Sequence, residues 1–157
     1  MGYDFSADEI FEMAKQIEVN GAAFYRKAAA KVTGEAEQKF LKTLAAMEDQ
    51  HEKTFAAMQA DLKKEDQENL IFDPQGEAVL YLQAMADTKI FFKKEEPGDD
   101  MKDILAAAIK AEQDSIVFYL GMKELVSGAA SKQRVEDIIK EEMSHIRLLS
   151  NKLSAIA

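Results

Sequence analysis

Apolar residues recur along this chain at alternating three- and four-residue steps. That spacing keeps one face of an α-helix turned toward a core. The first series is Phe11, Ala14, Glu18, Gly21, Tyr25, and the second is Leu41, Leu44, Glu48, His51, Phe55, Met58, Leu62. The third is Leu105, Ala108, Glu112, Ser115, Tyr119, Met122, and the fourth is Val135, Ile138, Glu142, His145, Leu149. Ser6 followed by Glu9 reads as a capping box opening a helix from about Ala7 to Val32, which stops at Thr33-Gly34. A second helix runs from about Glu35 to Lys64. The stretch Asn69 to Gly76, with Pro74, is a break, and a shorter helical piece from about Glu77 to Phe92 follows. A second break, Glu95 to Asp100, contains Pro97-Gly98. A third long helix spans from near Asp100 to near Ser127-Gly128, and Ser131 is placed to cap a fourth that runs nearly to Ala157.

Long helices joined by tight turns form antiparallel hairpins. The two hairpins, about 7–64 and 100–156, are linked by a connection over 65–99 that holds its own short helix. A connection of that length lets the third helix start at the end where the second began. The expected fold is all-α: a single domain over 1–157, built as a four-helix bundle with one long crossover.

The halves repeat at an offset of 94 residues. Phe24-Tyr25 corresponds to Phe118-Tyr119, Gly34 to Gly128, and Leu44 to Ile138. Glu18 corresponds to Glu112, Glu48 to Glu142, and His51 to His145. Shared apolar spacing accounts for Leu44 and Ile138 but not for polar residues in register. Chance agreement of Glu at positions −3 and −33 from both His is on the order of one in ten thousand before any correction for helical bias.

Each apolar face therefore carries one Glu at its centre, and the second and fourth add one His each. An unpaired buried carboxylate costs several kcal/mol, and four close together also repel one another. Two divalent ions would balance four such charges. Glu-x-x-His places both groups on one helix face, one turn apart. Two of the Glu could then bridge a pair of metals, with one further Glu and one His for each. One Glu from each of two helices and Glu-x-x-His from each of the other two is the ligand set of di-iron carboxylate bundles.

Composition narrows the chemistry. The chain has 157 residues, 29 acidic and 20 basic side chains, a formal net charge of −9, two His and no Cys. No Cys means no disulfide, thiolate metal site or Cys nucleophile. The acidic balance lacks the footprint of a nucleic-acid partner. No stretch approaches the roughly 18 apolar residues of a membrane span, so no membrane partner is expected. The start of the chain does not read as a signal peptide. Gly2 and Ser6 match a myristoylation pattern without a second membrane signal, and a cytoplasmic location is the expectation.

The chain resembles the ferritin-like superfamily, and within it the rubrerythrin-type di-iron proteins. The carriers are IEVNGAAFYRKAA around Glu18, AAMEDQHEKTF around Glu48 and His51, IKAEQDSIVFY around Glu112, IKEEMSHIRLL around Glu142 and His145, and the crossover piece AVLYLQAMADTKIFF. The resemblance implies a ferritin-like bundle with Glu18, Glu48, His51, Glu112, Glu142 and His145 as ligands of two iron ions, manganese and zinc being compatible with the same donors. It implies Tyr25 and Tyr119 as aromatic neighbours of the metals, and O2 or H2O2 as the substrate. It also implies a homodimer. Ser115 stands where rubrerythrins carry a further carboxylate, which removes the residue used in a rubrerythrin-style ligand exchange. With no Cys for a rubredoxin-like site, an external electron donor is expected. Asp49 stands where bacterioferritins have a haem-binding Met, so no haem is expected. Storage ferritins have a fifth short helix that this sequence lacks. Glu52 and Glu141, beside ligands in sequence, read as surface or rim residues.

Peroxide or O2 reduction is the leading expectation. Ferrous oxidation without cage storage and a non-catalytic metal-stabilised bundle are the alternatives.

Overall fold

The computed structural model of the chain describes residues 6–62, 77–88 and 96–156. Five helices lie among them: α1 (Ala7–Lys31), α2 (Glu35–Ala60), α3 (Glu77–Thr88), α4 (Met101–Leu125) and α5 (Ala129–Ile156). The described residues form helices and no strands, with α1 paired to α2 and α4 paired to α5 as in a four-helix bundle. Across the pairs, α1 meets α4 and α2 meets α5, and α3 lies on α4.

The punctuation works largely as the sequence implies. The Ser6 hydroxyl accepts from the Glu9 backbone N–H at 3.2 Å and opens α1. Asp100 does the same for α4, accepting from Asp103 at 2.8 Å. One expected boundary is corrected. Ser131 does not cap the last helix but lies inside it, because α5 already begins at Ala129. Gly128 adopts φ of 89°, a left-handed conformation that costs glycine little, and so completes the turn three residues earlier. Asp61 caps α2. The expected extension of that helix to Lys64, the break with Pro74, the end of the crossover helix near Phe92 and the Gly2 motif lie outside the described residues.

Two apolar layers fill the bundle. One joins Ile10, Phe11 and Ala14 of α1 with Phe55 and Met58 of α2, Phe118 and Met122 of α4, and Val135 of α5. The other joins Phe24 and Ala28 with Leu41, Leu44, Ile104, Leu105 and Leu149. Each layer takes opposite ends of the antiparallel helices. The Glu and His positions fall between the layers, at mid-length of all four long helices. At Gly121 a Cβ atom would lie 2.7 Å from the Tyr81 ring and 3.0 Å from Leu82, so the bare backbone admits α3 against α4.

Candidate metal centre

The structure brings all six expected ligands together. Glu18, Glu48, His51, Glu112, Glu142 and His145 are each at most 4 % exposed. Their donor atoms form two overlapping groups. Glu18, Glu48, His51 and Glu142 each place one atom within 4.8 Å of the others, and so do Glu48, Glu112, Glu142 and His145. Glu48 and Glu142 belong to both groups. The geometry is that of two adjacent cation positions with two carboxylates between them. The imidazoles of His51 and His145 face each other nearly parallel, with ring centroids 5.7 Å apart and planes 16° apart.

Two tyrosines orient the outer carboxylates. The Tyr25 hydroxyl donates to Glu112 Oε1 at 2.7 Å, from α1 across to α4. The Tyr119 hydroxyl donates to Glu18 Oε1 at 2.6 Å, from α4 back to α1. In each carboxylate the second oxygen, Glu112 Oε2 or Glu18 Oε2, is buried without a hydrogen-bond partner. Both oxygens of Glu142, Glu48 Oε1 and the Nδ1 atoms of both histidines are buried without a well-formed hydrogen bond, although His51 Nδ1 lies 2.6 Å from Glu142 and His145 Nδ1 3.3 Å from Glu48. Buried polar atoms normally find partners, and leaving one unsatisfied costs about 1–3 kcal/mol. Such a concentration of orphaned lone pairs, all converging, fits a dinuclear cation site: the unpaired atoms are the ones a metal would take.

Electrostatics describe the same poise. Burial pushes the Glu48 carboxyl well above the ordinary carboxylate range, and the charge of Glu18 adds to it. Burial likewise raises Glu18, with Glu142 adding to it. Burial and the neighbouring Glu48 push Glu142 up to about 7, against the opposing pull of His51. For His51, burial works against the charged imidazolium, but the carboxylates of Glu142 and Glu18 outweigh it and push it up to about 12. His145 is also raised, by Glu48 and Glu142 against burial. Burial, then the nearby carboxylates, hold the phenols of Tyr25 and Tyr119 protonated, as donors must be.

These shifts set the pH dependence of the metal-free protein. A carboxyl raised from 4.5 to about 7 in the fold binds protons more readily folded than unfolded. Its contribution is fully present below about 4.5 and lost as pH rises through about 7. His51, raised from 6.5 to about 12, contributes fully below 6.5 and loses that contribution above it. Both act in one direction. The midpoint of thermal unfolding of metal-free protein falls between pH 5 and pH 8, and a midpoint that rises over that range contradicts the assignment.

One contact was not legible in the sequence. Glu141 is exposed, in keeping with a rim position, yet its carboxylate reaches from α5 to α2 and hydrogen-bonds His51 Nε2. Nothing in the spacing of either helix signals this, because it depends on how α5 is rotated against α2. Ser115 turns its hydroxyl to the Ala111 carbonyl of its own helix at 3.0 Å. Asp49, at the position considered for haem, pairs with Arg26 of α1. Glu52 stays partly exposed.

A family model described as Rubrerythrin matches residues 9–153. A comparison with curated proteins gives no match. Among solved structures, a Thermotoga maritima protein described as a ferritin-like diiron-carboxylate protein superposes with a TM-score of 0.74. The two are 22 % identical, and the match covers 100 % of each chain. At that identity the likeness is one of fold.

Proposed function

This chain belongs to the rubrerythrin family, and on that premise we propose that it is a di-iron oxidoreductase that reduces hydrogen peroxide or O2 with electrons from a donor outside this sequence. The observation that carries the reading is the convergence of orphaned buried lone pairs from four Glu and two His. Glu18 and His51 would serve one iron, Glu112 and His145 the other, and Glu48 and Glu142 both. A pair of iron ions supplies two electrons in one event, which matches the demand of a peroxide: two electrons and two protons convert H2O2 to two waters.

The chain's own residues prepare for that chemistry. Tyr25 and Tyr119 each hold one oxygen of an outer carboxylate and leave the other for metal. They also keep phenolic protons beside the centre. The apolar layers above and below keep bulk water from the carboxylates, which strengthens every charge interaction among them. With no Cys in the sequence, the reducing equivalents must arrive from a partner or a small molecule.

The test is steady-state consumption of H2O2 by iron-loaded protein supplied with a reductant. Turnover well above that of free iron at equal concentration supports the reading, and turnover no faster than free iron sinks it. Ferrous oxidation is the second reading, and Ser115 favours it. Its hydroxyl is spent on Ala111 and supplies no extra carboxylate for ligand exchange. If that reading holds, the protein consumes O2 with Fe2+ as the only reductant and shows no sustained peroxide turnover.

A further inference from the structure

The 94-residue repeat relates the two halves of the centre. Glu18 and Glu112, Tyr25 and Tyr119, Glu48 and Glu142, and His51 and His145 all obey it. The relation fails directly beside the ligands. Glu141, the residue before Glu142, corresponds to Met47, the residue before Glu48. Glu141 accepts a hydrogen bond from His51 Nε2. His51 Nδ1 lies 2.6 Å from Glu142 and 3.5 Å from Glu18, inside the cluster, so with a proton kept on Nε2 it is Nδ1 that gives up its proton and offers its lone pair to a cation. His145 has no such support. Among the described residues its Nε2 has no hydrogen-bond partner, although the residue is fully buried. Met47 is a partly buried thioether packed against the second apolar layer.

A carboxylate behind a ligating imidazole fixes its tautomer, holds the ring in place and makes the other nitrogen a stronger donor. It also adds a negative charge near one cation position only. We propose that the two metal positions are unequal: the one served by Glu18, Glu48, His51 and Glu142 binds more tightly and fills first. Glu141 is the positioning residue that makes it so, acting through His51. The inference rests on the reading of the cluster as a metal centre. A single cation entering metal-free protein takes the His51 side, and the pair assembles in sequence.

The test is an anaerobic titration of metal-free protein with Co2+, followed by visible absorption. Wild type should bind in two steps separated by about 10- to 100-fold in affinity, the usual weight of such an outer contact. Glu141→Gln should weaken the first step by that factor and leave the second within about threefold, so that the steps merge. Glu141 is a largely exposed side chain, so the substitution leaves the core intact. Met47→Glu should tighten the second step. His51→Ala should remove the tight step and His145→Ala the weak one. Two wild-type steps of equal affinity, or a Glu141→Gln isotherm that superimposes on wild type, overturns the inference while the metal centre stands. Co2+ that binds at neither position overturns the centre itself.

Discussion

On the proposed function, Glu48→Ala is expected to lower peroxide reduction after iron treatment by more than about 100-fold, beyond the cost of losing an outer hydrogen bond to a ligand. Glu48 is one of only two carboxylates that belong to both donor groups, so its loss damages both metal positions at once. Such effects do not add, and one shared ligand removed is expected to cost nearly as much as several. The loss is not one of folding. Burial and the charge of Glu18 already disfavour the ionised Glu48 carboxylate in the metal-free chain. Glu48→Gln therefore gives a metal-free protein at least as stable as wild type, and equally inactive. Glu52→Ala, a change on the same helix that touches neither donor group, keeps wild-type turnover. Rates measured on all three variants at equal protein concentration after the same iron treatment, with the retained iron of each determined, check the prediction. Glu48→Ala with wild-type activity contradicts it.

Metal loading raises the thermal midpoint by about 10 °C or more at pH 8. A ligand at 1,000 times its dissociation constant contributes about 4 kcal/mol per site, and each kcal/mol moves a domain of this size by about 2–4 °C. The two sites act on the same four helices, since each position draws ligands from at least three of them. The gain shrinks as pH falls, because cation binding must displace protons from Glu142, raised to about 7, and from His51, raised to about 12. Melting curves of loaded and metal-free protein at pH 5 and pH 8 measure this. A loaded protein that melts with the metal-free one at both values contradicts it.

Much of the centre was readable because its residues break a rule at regular intervals. Glu18, Glu48, His51, Glu112, Glu142 and His145 sit at the centre of seams otherwise made mostly of apolar residues, and the repeat places them in register. The period of a helix specifies which side chains share a face, so the meeting of six residues on four helices followed from pattern alone. What the period does not specify is the rotation of one helix against another. That rotation brings Glu141 onto His51, and it sends Tyr25 to Glu112 and Tyr119 to Glu18, each crossing between hairpins. The start of α5 was missed for a local reason. Ser131 looks like a cap by residue type, but the positive φ of Gly128 had already turned the chain.

Four carboxylates and two imidazoles are placed to hold a pair of metal ions. Anaerobic titration of metal-free protein with Fe2+, followed by metal analysis after removal of the excess, tests it most directly. Wild type is expected to saturate at two ions per chain, and Glu48→Ala at one or none. Saturation at one ion per chain, no retained iron, or loading that continues to hundreds per assembly would contradict it.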